Sequence, residues 1–161
     1  MAKTRLSRAR PSNVRSATIE FLEALCRCAG YQGWDFRIFD RGSRSRLDRG
    51  AFSVTVHVRV SFEQPPRWTI ARRVVERILR APTSTYLILL RSDRAGYILG
   101  WETARRLLRG PRQRRGCRIT TARLAGKGPF ARVDEVWERV RPELEPRRDA
   151  FHLRVPGCLR Q

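Results

Sequence analysis

Apolar residues recur at two different periods along this chain, and the switches between them lay out its elements. From Asn13 to Ala29, Val14, Ala17, Phe21, Leu25 and Cys28 fall at helical spacing, and Gly30 closes the run, which predicts a first helix. In WDFRIFD, Trp34, Phe36 and Ile38 share one face while Asp35 and Arg37 share the other, the pattern of a half-buried strand. A Gly/Ser/Arg loop, DRGSRSRLDRG, comes next. Phe52, Val54, Val56, Val58 and Val60 then form an unbroken period-two apolar face, with Ser53, Thr55, His57, Arg59 and Ser61 opposite. This is the strongest strand signal in the chain.

Consecutive prolines in FEQPPRW cannot continue a ladder and end that strand. Between Thr69 and Ala81, Ile70, Ala71, Val74, Val75, Ile78 and Leu79 give an amphipathic helix. TYLILLRS (85–92) reads as a fully apolar, buried strand. With the turn at Asp93–Gly96 and the YILGW that follows, 85–101 makes a hairpin. Glu102 to Arg109 is a short helix stopped at Gly110. Beyond it CRITTARL (117–124) suits a strand, AGKGPF a loop, VDEVWERVRPEL a helix and AFHLRV a last strand. The order helix, strand, strand, helix, strand, strand, helix predicts an α/β domain, a small mixed sheet flanked by helices. Residues 13–161 form that single domain, preceded by a basic arm, 1–12, that lacks the apolar stretch of a secretory signal.

Charge changes this picture more than composition does. Thirty-three Arg and two Lys stand against fifteen acids, giving a net charge of +20. So large a charge repels itself unless a polyanion offsets it, which makes nucleic acid the expected partner. No apolar run approaches the roughly 20 residues of a spanning helix, so a membrane is not expected. Residues 103–133 carry ten Arg or Lys and no acid. Arg105, Arg106, Arg109, Arg112, Arg114, Arg115 and Arg118 within that run, with Arg44 and Arg46 in the earlier loop, are the expected phosphate contacts. Preference for Arg over Lys suits bidentate recognition of phosphates and guanine edges, and a GC-rich coding bias explains it equally well. Of the cysteines, Cys26 and Cys28 are too closely spaced for a zinc knuckle, so Cys26, Cys28, Cys117 and Cys158 are expected to be reduced thiols in a cytoplasmic protein.

The loop GSRSRLD and the strand after it carry a more specific pattern. A helix, a strand, a Gly-Ser loop with an acid and an alternating strand in that order resemble the PD-(D/E)XK (restriction-endonuclease-like) superfamily. The loop is most similar to the Holliday-junction resolvase and phage nuclease-like branch. YLILLRSDRAGYILGWETA is similar to the hairpin after the core helix in those proteins. The resemblance spans about residues 13–110 and implies a metal-dependent DNA endonuclease, often dimeric. In such a nuclease, carboxylates converge on Mg²⁺ while a lysine on the same strand face orients the attacking water. Asp48 would be the loop acid, with Asp40 as an alternative, and Glu20 the acid from the first helix. His57 and Arg59 stand where Glu-x-Lys is expected. The imidazole is a poor ligand for Mg²⁺ and a better one for Mn²⁺, while Arg59 cannot act as a base near neutral pH. The resemblance thus implies a DNA-binding protein on a nuclease-type fold, with Glu20, Asp48, His57 and Arg59 as a degenerate catalytic set. Glu20 and Asp48 would hold Mg²⁺ or Mn²⁺. The other candidates are a structural RNA-binding protein and a non-catalytic nucleoprotein assembly component. DNA is expected ahead of RNA because Trp34, Phe36 and Phe52 read as core rather than as a stacking surface.

Overall fold

A computed structural model of the chain describes residues 14–39, 43–109 and 116–144. The arm 1–12, the strand expected in AFHLRV, and Asp40, Arg112, Arg114, Arg115 and Cys158 lie outside those residues. The described chain runs α1 (Val14–Gly30), β1 (Asp35–Phe39), β2 (Arg44–Arg49), β3 (Phe52–Ser61), β4 (Arg67–Ile70) and α2 (Arg72–Leu79). It continues through β5 (Thr85–Arg91), β6 (Gly96–Leu99), α3 (Trp101–Leu108), β7 (Cys117–Thr120), β8 (Pro129–Phe130) and α4 (Val133–Leu144). This is the α/β architecture that the alternation of periods predicts.

Six strands form one mixed sheet in the order β1-β2-β3-β5-β6-β8, and β4 pairs with β7 in a separate two-stranded ladder. β1, β2 and β3 are a meander of antiparallel neighbours. β3 and β5 are parallel, so the chain between them must cross over, and β4 with α2 makes that crossing.

Both faces of the sheet are covered, and each face has its own core. On one, Phe21, Leu22, Leu25 and Cys26 of α1 and Val136, Trp137 and Val140 of α4 pack on Leu47, Val54, Val56, Val58, Tyr86, Ile88 and Leu90. On the other, Val75 and Ile78 of α2, Ala104, Leu107 and Leu108 of α3, and Trp68, Ile70, Cys117 and Ile119 of the small ladder pack on Leu87, Leu89 and Leu99. β5 supplies alternate residues to each core, which is why TYLILLR is apolar at nearly every position.

Four expectations need correction. The stretch from Thr69 does not open a helix, because Trp68 and Ile70 turn inward from β4 and the helix begins at Arg72. DRGSRSRLDRG is not all loop: Arg44–Arg49 is β2, with Ser45 and Leu47 pointing into the core. Phe36 and Phe52, expected in the core, are 48% and 41% exposed and stand outside the cluster that α1 and α4 form with Leu47, Val54, Val56 and Val58. CRITTARL divides into β7 and a 3₁₀ turn at Thr121–Leu124.

Candidate nucleic-acid interface

β-strand alternation decides what the expected nuclease residues can do together. On β2, Leu47 faces α1, so Arg44, Arg46 and Asp48 face the other way, toward the side covered by α2 and α3. On β3, His57 and Arg59 face that same side. Asp48, however, stands opposite Ser53, four residues along β3 from His57, which separates the two by about 13 Å. The residue opposite His57 on β2 is Arg44. Where carboxylates would have to gather, the ladder therefore sets a guanidinium beside an imidazole.

Each member of the expected set is occupied elsewhere. Asp48 accepts a 2.9 Å ion pair from Arg46 Nε, and the same Nε also donates to Ser53 Oγ at 3.0 Å. His57 is only 2% exposed, lying between Arg44 on β2 and Leu87 on β5. Arg59 Nη1 donates to the carbonyl of Val58 at 2.8 Å. Glu20 sits on α1, across the sheet from Asp48, and pairs with Arg94 at 2.8 Å. Glu20 and Asp48 thus cannot share a cation, and no cluster of three His, Cys, Asp or Glu side chains occurs among the described residues. The donors do not fit the Mg²⁺ or Mn²⁺ site that the resemblance implies. Period two puts His57 and Arg59 on one face, but only strand register shows how far Asp48 lies from them.

The charged surface is where the two sides of the molecule differ. Around α1 and α4, Arg15, Arg27, Arg94, Arg132 and Arg139 meet Glu20, Glu23, Asp134, Glu135 and Glu138, five cations against five acids among the described side chains. The opposite layer carries Arg67, Arg72, Arg73, Arg77, Arg80, Arg105, Arg106, Arg109, Arg118 and Arg123, ten cations against Glu63, Glu76 and Glu102. Two of those acids are already matched, Glu63 by Arg67 at 2.8 Å and Glu76 by Arg72 at 3.1 Å.

Some of these arginines are tied down. Arg123 donates to the carbonyls of Leu107 and Arg118 at 3.0 and 3.1 Å, fastening the 3₁₀ turn to α3 and β7. Arg105 lies over the Trp101 ring at 4.2 Å. Arg73, Arg80, Arg106, Arg109 and Arg118 are exposed and have no carboxylate partner among the described residues. Arg44 rests on Phe39 at 5.0 Å and extends the cationic side onto the open face of β1 and β2.

Arg106, Arg109 and Arg118 were expected contacts, whereas Arg73 and Arg80 were not. Their signal was present in ARRVVERILRAP, an amphipathic helix whose polar side is almost entirely arginine. Comparison of the chain with protein-family models, curated proteins and solved structures finds no match. Among the described residues, no helix is long and apolar enough to cross a membrane.

Proposed function

We propose that this chain is a nucleic-acid-binding module that holds the phosphate backbone of a duplex on its α2–α3–β7 side. The reading departs from a metal-dependent endonuclease acting through Glu20, Asp48, His57 and Arg59, because their separation across the sheet and along β3 gives a cation no shared seat. The observation that carries it is the segregation of charge: one layer nearly balanced, the other with ten arginines against three acids. Phosphates neutralise such a surface and release their counterions, so affinity should fall steeply as salt rises.

The core placement of aromatics, used above to favour DNA over RNA, does not hold for Phe36 and Phe52. Duplex DNA, duplex RNA and single strands therefore belong in one titration, read by fluorescence anisotropy at several salt concentrations. If Arg73, Arg80, Arg106, Arg109 and Arg118 each meet one phosphate, log K against log salt has a slope of about −4.5 on duplex DNA. Each of these residues changed to Ala should lower the slope by about 0.9. A flat salt dependence would reject the reading. Incubating the same duplexes with Mg²⁺ or Mn²⁺ tests the catalytic alternative: a cleavage lost in Asp48→Ala would reinstate it.

A further inference from the structure

β1 is the last strand of the six-stranded sheet, with β2 on one side and no strand on the other among the described residues. Asp35, Phe36, Arg37 and Ile38 are all exposed. Its outer edge presents main-chain donors and acceptors beside two large apolar side chains, Phe36 at 48% and Ile38 at 37% exposure. An edge of this kind pairs readily with another strand, and charges are the usual guard against indiscriminate pairing. Here the two charges have opposite signs and lie two residues apart, so they favour one register over another.

We propose that β1 is the interface between two copies of this chain, paired edge to edge in antiparallel fashion about Phe36. Of the symmetric registers, those centred on Phe36 and on Arg37 match the most exposed residues with one another. Centring on Arg37 would place that residue against the second copy's Arg37, and like charges directly opposite one another are unfavourable. Centring on Phe36 places Asp35 opposite the second copy's Arg37, and symmetry repeats the match. The two Phe36 rings then meet at the axis, and Ile38 faces the second copy's Trp34. Charge complementarity thus selects both the occupant and its alignment.

Antiparallel pairing within a sheet has its two-fold axis perpendicular to the sheet, so corresponding faces of the two copies lie on the same side. The α2–α3–β7 layers would flank a continuous sheet of six strands from each copy. The dimer stands on the edge strand alone. That it offers one polyanion a doubled cationic side rests on the function proposed above. A five-residue strand makes a small contact, so the association is expected to be reversible and concentration-dependent rather than obligate.

Sedimentation of the full chain, free of nucleic acid, tests the interface. Dimerisation is expected in the unaltered protein, and Asp35→Arg or Arg37→Asp alone should weaken it by about tenfold. The double change Asp35→Arg with Arg37→Asp restores opposite charges and should recover most of that loss. Phe36→Cys places two thiols at the axis, with Cα atoms about 4.5–5.5 Å apart, close enough to cross-link on oxidation. Ile38→Cys does not. A monomer at every concentration, a double variant no better than the single ones, or cross-linking through Ile38→Cys in place of Phe36→Cys would overturn the proposal. Circular dichroism of each variant separates loss of pairing from loss of fold. A monomer that binds duplex leaves the proposed function standing, whereas a dimer that ignores duplex leaves only the interface.

Discussion

The two layers of this protein bury comparable cores against the same sheet, yet they meet solvent differently. The α1–α4 layer is nearly neutral, and several of its charges are locally paired, as Glu20 is with Arg94 and Arg132 with Asp134. The α2–α3–β7 layer holds far more cations than its own acids can match. Both helix pairs use their inner faces for packing, so packing does not account for the difference. What separates them is the partner each outer surface is suited to meet: water and small ions for one, a polyanion for the other.

The sharpest way to break this comparison is to remove equal charge from each layer. Replacing Arg73, Arg106, Arg109 and Arg118 by Glu changes the net charge as much as replacing Arg15, Arg27, Arg132 and Arg139 by Glu. The first set should lower duplex affinity at least about 10³-fold near 0.1 M salt, through loss and reversal of phosphate contacts. The second should lower it less than about tenfold, by the general reduction in net charge. Equal losses in the two proteins, measured by anisotropy, would show that total charge matters and placement does not.

The cores differ in a subtler way. In the basic layer, Trp68 is 1% exposed and its indole N–H donates to the Leu90 carbonyl at 2.9 Å, joining the small ladder to β5. In the balanced layer, Trp34 and Trp137 meet edge to face at 5.8 Å, and neither buried indole N–H has a hydrogen-bond partner among the described residues. Trp68→Phe should cost about 2–3 kcal/mol, from lost volume and an orphaned carbonyl. Trp137→Phe removes an unsatisfied donor together with similar volume, and should cost about 1 kcal/mol less. Urea denaturation of the two variants checks the order.

Much of the architecture was legible because period is a local property. α1, β3, the β5–β6 hairpin and α4 are all marked by the spacing of apolar residues, and TYLILLR declares a strand buried on both faces. Register is not local. Asp48 and His57 share a face only because β2 pairs with β3 in this register, and the antiparallel partner of His57 is Arg44. Nothing in GSRSRLD says how far β2 slides along β3. The exposure of Phe36 and Phe52 escaped for a related reason, since an apolar strand face is buried only where a helix reaches it. Arginines on α2 are visible in the sequence but lie outside the acid-free run 103–133, and only packing places that helix beside α3.

The smallest expected effect uses a buried thiol as a probe of the quieter layer. Cys26 lies on the buried face of α1, with Sγ 3.4 Å from Ser45 Oγ. Burial is the main cause that pushes its pKa above the ordinary 9.0; the Ser45 hydrogen bond opposes the shift and the nearby Glu23 adds to it. Cys28 is raised as well, again chiefly by burial, with Asp134 contributing and Arg27 opposing. In the unfolded chain these thiols ionise from about pH 9 upward, while the folded protein holds their protons longer. Their contribution to stability is therefore complete below pH 9 and is lost as pH climbs through the higher folded values. Cys26→Ala should flatten part of that alkaline decline in melting temperature while costing some packing at neutral pH. Glu23→Gln removes the carboxylate's share alone and should bring the onset of Cys26 alkylation to slightly lower pH. An unchanged alkylation profile in Glu23→Gln would show that the acids of this layer do not reach its core, leaving burial as the whole cause.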